Sequence, residues 1–351
     1  MLNSIKGKKS PVIGIISYER HENVYEIIRL LKENKLFNMP IIVFLSAGKT
    51  KSTEIASEKI KNLGETCFIP NQKCSIGKSR QALVEIAYSE FKATHLIFLD
   101  DDCFPENNWI QALLNHLEYF PESGMFFGPR KEYSSDSLGG FIRQRESRKS
   151  SKIKLLSNDK ETIELPLALC AGGNMGVRID LALQFGIFDK RFEGCSFEDV
   201  DFQLILEKNN ISTHYISKFC VVHKHPLSVL QLMKKSIASG RGIAIMQNKH
   251  GVNFYNKTRW ANWKYFFLYP ILLLVVFFLS LFLSKLFFLF ILVYLFLEFV
   301  RSKKTFFLWF VIKSFRDFFI IVGLIVGKVE LFLLNEKSIE KRNVNELKSD
   351  I

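Results

Sequence analysis

The feature that most constrains the fold is an alternation of short apolar runs with amphipathic segments near the start of the chain. Four runs rich in apolar and β-branched residues predict buried strands: Val12–Ile16, Pro40–Leu45, Thr66–Ile69 and Leu96–Leu99. Three segments between them carry apolar residues at helical spacing: Asn23–Asn34, Thr53–Leu63 and Lys78–Phe91. Strands that alternate with helices predict an α/β fold with a mostly parallel sheet flanked by helices.

The fourth predicted strand ends in three consecutive carboxylates, Asp100, Asp101 and Asp102. Because adjacent carboxylates repel one another, we expect the fold to place a cation at this strand end. A divalent cation with oxygen ligands fits, and such an ion can also hold a diphosphate. In open α/β sheets the ligand crevice lies outside the carboxyl ends of the strands, where this triplet falls. A solvated acidic turn is the alternative interpretation.

A second polar block lies further along the chain, within residues 169–206. Gly172 and Gly173 permit close approach of the backbone to a ligand, and the neighbouring Asn174 amide both donates and accepts hydrogen bonds. Glu198 and Asp199 open a predicted helix, where the helix dipole stabilises acidic side chains. Helix capping and catalysis are compatible functions for these two residues.

Charge and cysteine usage bound the function classes. The formal net charge is +13, which suits nucleic acid, anionic lipid or phosphorylated substrates. Aromatic runs beside the basic clusters favour lipid, and no nucleic-acid recognition motif is found. The cysteines lack the paired spacing of zinc or redox sites, which favours a reducing compartment. Residues 1–10 lack an apolar core, so we expect no cleavable signal peptide and a cytoplasmic first domain.

The C-terminal third predicts membrane helices, because most of the 34 phenylalanines are concentrated toward that end. Tyr265–Ser284 is long and apolar enough to span a bilayer, and Leu286–Val300 is a second, shorter apolar run. Basic residues at both outer ends, with Lys285 alone in the turn, predict a transmembrane hairpin with both ends in the cytoplasm. A single bent or re-entrant segment is the alternative.

These features predict the following division of the chain: a cytoplasmic domain at 1–250, a basic and aromatic juxtamembrane linker at 251–264, the hairpin at 265–300, an interfacial amphipathic or third membrane helix at 301–334, and a polar tail at 335–351. The expected location is the inner, cytoplasmic membrane, with the first domain facing the cytoplasm. The charged segment 131–164 is either a solvated excursion or a basic lid or membrane-surface element that meets an anionic acceptor.

In this order the motifs resemble those of the glycosyltransferase family 2 enzymes, which have the Rossmann-like GT-A fold, and specifically a membrane-anchored bacterial type. The resemblance covers about residues 11–242 and rests on five segments: Ile16–Arg20, Gly77–Gln81, the DXD-like Asp100–Asp102, Gly172–Met175 and Phe197–Asp199. Ile16–Arg20 departs from the family's Pro-Thr-Tyr-Asn-Arg at its first and fourth positions. Leu45 and Ser46 stand where the family usually has an aspartate that contacts the nucleobase, which leaves the donor base and sugar open.

The resemblance implies a role for each motif. Asp100 and Asp102 would hold Mn²⁺ or Mg²⁺, with His223 as a further ligand and His225 as its alternative. Asp199 would be the general base, which implies inversion at the sugar carbon. The implied substrate-binding residues are Ser17, Glu19, Arg80, Asp101, Gly172, Gly173, Asn174 and Glu198. Gly240-Arg241-Gly242 is similar to a family Gly-Arg near the membrane entrance.

The expected function is therefore inverting, metal-dependent transfer of a sugar from a nucleotide-sugar donor to an acceptor hydroxyl. We expect a lipid-linked saccharide as the acceptor, in cell-surface polysaccharide biosynthesis. Two alternatives stay open at this point. One is a related nucleotidyltransferase, and the other is a catalytically silent, membrane-bound sugar-nucleotide binder or complex subunit.

Overall fold

The computed structural model describes residues 10–133, 162–164, 172–194, 196–224, 228–251, 316 and 318–334. The chain divides into two compact units, each of which is considered by itself. The first comprises Met1–Gly194 and Glu198–Pro226, and the second comprises Cys195–Phe197 and Leu227–Ile351. The predicted hairpin at 265–300, the tail at 335–351 and His225 lie outside the described residues, as does most of the charged segment 131–164.

The first unit contains the α/β architecture. Its described strands are β1 (Pro11–Ser17), β2 (Ile41–Leu45), β3 (Thr66–Phe68), β4 (His95–Asp100), β5 (Cys103–Pro105), β6 (Met125–Phe127), β7 (Arg130–Glu132), β8 (Thr162–Glu164), β9 (Asn174–Arg178), β10 (Thr213–Ile216) and β11 (Val221–His223). Its described helices are α1 (His21–Glu33), α2 (Lys51–Asn62), α3 (Ile76–Ser89), α4 (Trp109–Tyr119), α5 (Ile179–Phe185) and α6 (Glu198–Lys208), with a 3₁₀ turn at Lys190–Phe192.

Eight strands form the main sheet in the order β3-β2-β1-β4-β9-β6-β10-β8. β1 pairs in parallel with β2 and β4, and β2 pairs in parallel with β3. These pairings confirm the predicted α/β fold with a mostly parallel sheet and flanking helices. β9 departs from the parallel pattern, because it runs antiparallel to both β4 and β6.

Two apolar layers cover the faces of this sheet, and β1 contributes to both. Ile13 and Ile15 pack in the layer that contains α1, whereas Val12 and Ile16 pack in the layer that contains Leu83 of α3. This alternation follows from the period of two along a strand. Each fully buried aliphatic side chain contributes about 1.5–3 kcal/mol relative to exposure, so the continuous apolar run of β1 favours a central position.

The helix starts are set by capping side chains. α3 begins at Ile76, two residues before the predicted start, because the Ser75 hydroxyl accepts a hydrogen bond from the Lys78 backbone N–H. α2 begins at Lys51, where the Thr50 hydroxyl accepts from the Thr53 N–H in a capping box. The first turn of α3 therefore includes Gly77, just ahead of Arg80.

A second, three-stranded sheet has the order β5-β11-β7. β11 runs antiparallel to β5, and in this register His223 lies opposite Cys103 while Val222 lies opposite Phe104. The pairing carries a histidine that is far away in sequence to the strand that directly follows the three carboxylates. Such a contact depends on topology, and the local sequence does not encode it.

Two helices of the second unit are described, α7 (Val229–His250) and α8 (residues 318–334). Glycines bring their backbones together: a Cβ added at Gly240 would overlap the carbonyl oxygen of Ile320, and one added at Gly323 would overlap that of Ile237. The Arg241 Nε also lies 2.9 Å from Oε2 of Glu330. Within the part of the chain that the structure describes, no helix has both the length and the apolar character needed to cross a bilayer.

Candidate active site

The candidate site is built where the main sheet ends at Asp100, the last residue of β4. The chain then turns through Asp101 and Asp102, and both turn residues are held by backbone hydrogen bonds. The Asp101 N–H donates to the carbonyl of Ile16, and the Asp102 carbonyl accepts from the Lys224 N–H at 2.8 Å. The three carboxylates therefore stand at fixed positions between β1 and the chain that follows β11.

The middle carboxylate, Asp101, faces inward. It is 2% exposed, and its Oδ2 accepts hydrogen bonds from the Ser17 hydroxyl at 2.8 Å and the Tyr18 backbone N–H at 3.3 Å. Burial raises the pKa of Asp101 to about 6, although the Arg20 charge and the Ser17 hydroxyl oppose the shift. The buried Asp101 side chain therefore stabilises the conformation of the turn.

Arg20 is the cation that the three acids require. Its Nη2 lies 2.5 Å from Oδ1 of Asp101, and its Nη1 lies 2.7 Å from Oδ2 of Asp102. Burial alone would lower the pKa of the guanidinium, but the charges of Asp102 and Asp101 outweigh it and raise the pKa. A planar, permanently charged fork suits two adjacent carboxylates better than an ammonium group would.

The third carboxylate, Asp102, lies beside an imidazole. Nε2 of His223 is 3.3 Å from Oδ1 of Asp102, and both side chains are buried. The Cys103 thiol lies 3.6 Å from the same Oδ1, and these three side chains form a group whose ligand atoms lie within 4.8 Å of one another. Burial and the charges of Asp100 and Asp102 raise the pKa of Cys103 well above its usual range, so the thiol stays protonated.

Asp100 lies against β9, where only glycine leaves room. A Cβ added at Gly173 would lie 2.7 Å from Oδ2 of Asp100 and 3.0 Å from the Cys103 sulfur. Among the described residues, Oδ1 of Asp100 is buried without accepting a hydrogen bond, and the Nη2 of Arg80 approaches it only to 3.5 Å. A buried carboxylate oxygen that accepts no hydrogen bond from the described residues favours the approach of a further positive group.

Arg80 connects this region to the second acidic motif. Its side chain is 3% exposed, and its Nη1 donates to Oε1 of Glu198 at 2.7 Å. A Cβ added at Gly172 would lie 2.6 Å from the Arg80 Nη2, so the glycine makes space for the guanidinium. The ring of Phe188 lies 5.4 Å from the guanidinium carbon, which adds a cation–π contact.

Glu198 and Asp199 have different surroundings although they are neighbours. Burial raises the pKa of Glu198 to about 7, the Arg80 charge opposes this shift, and the Asp199 charge adds to it. Asp199 accepts hydrogen bonds on both oxygens, from the Gly172 N–H at 2.7 Å and from the Val200 N–H at 2.8 Å. Two such bonds fix the orientation of the Asp199 carboxylate at the start of α6.

The residues predicted from sequence thus form two connected groups. Ser17 and Asp101 support the turn, Asp102 meets His223, and Arg80 joins Asp100 to Glu198. Glu19 lies apart from these contacts and lines a cavity of about 520 Å³. The other residues of that cavity are Arg20, His21, Glu22, Asn23, Ser52 and Lys224.

Asn174 occupies a different environment from the one that its predicted ligand role implies. Its side chain is fully buried, its Oδ1 accepts from the Trp109 indole N–H at 2.9 Å, and its Nδ2 donates to the Phe219 carbonyl at 2.7 Å. Both ends of the amide are therefore engaged by protein groups. In this structure Asn174 connects β9 to α4 and to the turn before β11.

Two features of the site were not assigned from sequence. One is the counter-ion role of Arg20, for which the only signal was that three adjacent acids need a cation. The other is Ser46, whose hydroxyl donates to the Ser17 carbonyl at 3.1 Å and whose own carbonyl accepts from the Cys74 N–H. Ser46 therefore connects the end of β2 to the end of β1. The sequence shows at this position only that the aspartate usual in the family is absent.

The residues present fit a divalent cation. Asp102 and His223 offer an oxygen and a nitrogen 3.3 Å apart, and the buried Oδ1 of Asp100 lacks a hydrogen-bond donor among the described residues. Carboxylate oxygens suit Mg²⁺ and Mn²⁺, and imidazole extends the set to softer divalent ions. The protonated Cys103 thiol is a poor ligand for such cations, so we expect it to remain outside the ligand set.

Comparison with known proteins gives one family. The family model described as Glycosyl transferase family 2 matches residues 12–182, a range that contains β1, the three carboxylates and Gly172–Asn174. No curated protein matches the chain in sequence.

A solved structure that aligns with a TM-score above 0.5 supports the fold. A mannosyltransferase, PcManGT from Pyrobaculum calidifontis in complex with GDP-Man and Mn²⁺, aligns with a TM-score of 0.60 at 10% identity, covering 92% of this chain and 88% of its own. GalNAc-T7 with UDP, GalNAc and Mn²⁺ aligns with a TM-score of 0.49 at 13% identity over 71% of this chain. The chain spans half of the length of that GalNAc-T7 chain. S. aureus TarS 1-349 aligns with a TM-score of 0.45 at 14% identity, covering 67% of this chain and 64% of its own.

Proposed function

We propose that the protein, whose residues 12–182 match the family model described as Glycosyl transferase family 2, transfers a sugar from a nucleotide-sugar donor to an acceptor hydroxyl with inversion. The observation that carries the proposal is the buried Arg80. Its guanidinium lies between Asp100 of the first acidic motif and Glu198 of the second. A fixed cation in that position links the residues for the leaving group to the residues for the acceptor.

Departure of the donor diphosphate needs positive charge. Arg80 supplies a preorganised cation, and Arg20 lies at the neighbouring carboxylates. Asp100, Asp102 and His223 would hold a divalent cation, consistent with the Mn²⁺ in the structure of the mannosyltransferase. When bound there, such an ion would neutralise the charge that develops on the diphosphate.

Attack by the acceptor needs a base. Asp199 would take the proton of the acceptor hydroxyl while that oxygen bonds to the anomeric carbon from the face opposite the diphosphate. The sugar–phosphate bond breaks in the same step, and the electron pair leaves with the diphosphate. The hydrogen bonds from Gly172 and Val200 fix the orientation of this carboxylate. Glu198 would remain paired with Arg80 and orient Asp199 or the acceptor.

We further propose that the acceptor is a lipid-linked saccharide and that the protein is integral to the inner membrane, with the first unit facing the cytoplasm. The apolar runs within 265–300 support an anchor. In α8, Phe318, Ile325, Val329 and Phe332 are each at least half exposed and recur at helical spacing. An exposed apolar stripe of this kind supports an interfacial position for the helix.

The experiment uses the full chain in nanodiscs, a panel of nucleotide sugars, and Mn²⁺ or Mg²⁺ with a chelator as the blank. We expect one donor to be consumed in a metal-dependent reaction. Asp199→Asn should reduce kcat by about 10²- to 10⁴-fold while donor binding persists. Asp102→Ala should weaken metal-dependent donor binding. Asp180→Asn is the matched control, because Asp180 forms an exposed ion pair with Arg178 away from the acidic motifs.

Two outcomes would contradict the proposal. If donors bind without turnover and Asp199→Asn behaves as wild type with lipid-linked acceptors supplied, the protein is a silent sugar-nucleotide binder. If the protein is instead supplied with a nucleoside triphosphate and a sugar phosphate and transfers the nucleotidyl group to the sugar phosphate, with release of pyrophosphate, the nucleotidyltransferase alternative holds.

A further inference from the structure

Gly240-Arg241-Gly242 on α7 has no role in the chemistry described above. Successive residues of an α-helix are rotated by about 100°, so Gly240 and Gly242, which are two positions apart, face nearly opposite directions. Gly240 faces α8, where a Cβ would overlap the Ile320 carbonyl oxygen. Gly242 faces a different neighbour of the second unit, the short segment formed by Ser196 and Phe197, which we name the 196–197 strap.

Contacts between α7 and the 196–197 strap are close and specific. A Cβ added at Gly242 would overlap the Ser196 carbonyl oxygen and lie 2.9 Å from Cδ2 of Phe197. The hydroxyls of Ser196 and Ser239 lie 3.4 Å apart, one helical turn before Gly242. Because the first contact is with backbone, no rotamer change of a flexible side chain can relieve it.

The strap carries backbone strain. Phe197 has φ of +85°, a conformation that residues with a side chain rarely adopt, and its side chain is buried. Strained backbone of this kind persists only where the surrounding structure holds it, and it is frequent beside functional residues. The next residues along the chain are Glu198 and Asp199, which pair with Arg80 and Gly172.

We propose that α7 positions the Glu198–Asp199 carboxylates through the 196–197 strap, with Gly242 and Ser239 as positioning residues. The link is covalent: the conformation of Phe197 sets the direction in which the chain enters α6. Gly242 lets α7 approach closely enough to hold that conformation, and Ser239 adds a hydrogen bond. This inference rests on the proposed function in assigning proton transfer to Asp199.

The test compares matched variants of the full chain in nanodiscs. Gly242→Ala and Gly240→Ala add the same methyl group to the same helix, but only the first meets the strap. Ser239→Ala and Ser236→Ala form the milder pair, since the Ser236 hydroxyl donates to the Leu232 carbonyl within α7 itself. For each variant, kcat, donor KM, the donor dissociation constant and the melting temperature are measured.

We expect Gly242→Ala to lower kcat by roughly 10- to 100-fold, the usual effect of a small misplacement of a catalytic group, with donor KM and binding within about 2-fold of wild type. Ser239→Ala should lower kcat by about 3-fold. Gly240→Ala and Ser236→Ala should leave kcat within about 2-fold of wild type, even where Gly240→Ala lowers the melting temperature. A Gly242→Ala enzyme with wild-type kcat overturns the proposal, and so does an equal loss of kcat and donor binding in both glycine variants.

Hydrogen exchange of the backbone amides gives a readout that needs no turnover. Faster exchange at residues 196–200 and at Gly172 is expected in Gly242→Ala and Ser239→Ala, but not in their controls. If the wild type has no transferase activity but exchange is faster in the two variants and not in their controls, the proposed function is wrong, and the proposal that α7 positions Glu198 and Asp199 stands. If exchange at these amides is unchanged in Gly242→Ala, the strap proposal fails whatever the activity.

Discussion

At the scale of single residues, Arg20 is the counter-ion of two acids of the site, and its effect on stability can be measured without turnover. It forms ion pairs with Asp101 and Asp102. Removing one partner of a buried charge cluster leaves the other charges uncompensated. Because the Arg20 side chain is 39% exposed, solvent screens part of that effect.

We therefore expect Arg20→Ala to lower the free energy of unfolding by about 1–2 kcal/mol without metal. Added Mn²⁺ should stabilise the variant more than the wild type, because the ion supplies the missing positive charge to the native state only. Urea denaturation with and without MnCl₂ measures both effects. Arg29→Ala, which removes an exposed pair with Glu33, is the control. An equal Mn²⁺ effect in variant and wild type would show that Arg20 and the ion do not share these carboxylates.

The raised pKa of Glu198 predicts that the free energy of unfolding falls as the pH rises. Burial, against the opposing charge of Arg80, raises its pKa from 4.5 to about 7, so the folded protein binds this proton more tightly than the unfolded chain. The associated stability is fully present below about pH 4.5 and is lost as the pH rises through about 7. The slope approaches 1.4 kcal/mol per pH unit between these values.

Replacement of Glu198 by glutamine removes this titration. We expect the decline in the free energy of unfolding between pH 5 and pH 7 to be smaller in Glu198→Gln than in wild type, measured by urea denaturation at several pH values. Burial raises the pKa of Asp101 to about 6, so a residual decline of the same sign should remain. Glu85→Gln, an exposed change on α3, should keep the wild-type profile. A Glu198→Gln profile parallel to wild type would contradict the assignment.

Individual residues show where sequence reasoning reaches its limit. The acids at the end of β4 were located from the strand pattern alone, because a buried apolar run that ends in charges has few other interpretations. The Arg20 contacts join residues more than 80 positions apart, and the His223 contact joins β11 to β5. No local pattern specifies such pairs, since they arise only when the strands are arranged in space.

At the scale of secondary structure, the strands near β1 were predictable because each is buried on both faces and reads as a continuous apolar run. β9 was not predictable in this way. Its residues follow two glycines, and its antiparallel place between β4 and β6 depends on the path of the whole chain. That placement puts Gly173 beside Asp100, so the site depends on the element that the sequence pattern defines least.

Asn174 stabilises this arrangement, and its replacement tests whether the role is structural. Asn174→Ala leaves the Trp109 indole N–H and the Phe219 carbonyl buried without their partner. Each orphaned group costs about 1–3 kcal/mol, so we expect the two together to lower the free energy of unfolding, measured by urea denaturation, by about 2–6 kcal/mol. Asn115→Ala, which removes an exposed contact with Gln111 on α4, should have little effect. A stable Asn174→Ala variant with impaired donor or acceptor binding would instead support a ligand role.

At the scale of the whole molecule, the proposed anchor and the proposed acceptor constrain each other. A transferase held at a bilayer meets a lipid-linked acceptor at a high effective concentration, whereas a soluble acceptor gains nothing from the anchor. The net charge of +13 adds attraction to anionic lipid and to phosphorylated acceptors. The shared bilayer and the electrostatic attraction both favour the encounter of enzyme and acceptor, and neither changes the chemical step.

The corresponding prediction compares one saccharide in two forms, linked to a lipid diphosphate and free in solution, with full-length protein in nanodiscs. We expect kcat/KM for the lipid-linked form to exceed that for the soluble form by about 100-fold or more, mainly through KM. Raising the salt concentration should reduce the advantage only partly, because charge screening weakens the electrostatic attraction while the shared bilayer persists. As a control, the protein in detergent should lose most of the difference. Equal kcat/KM for the two forms in nanodiscs would show that the acceptor is recognised by its sugar alone and that the anchor serves another purpose.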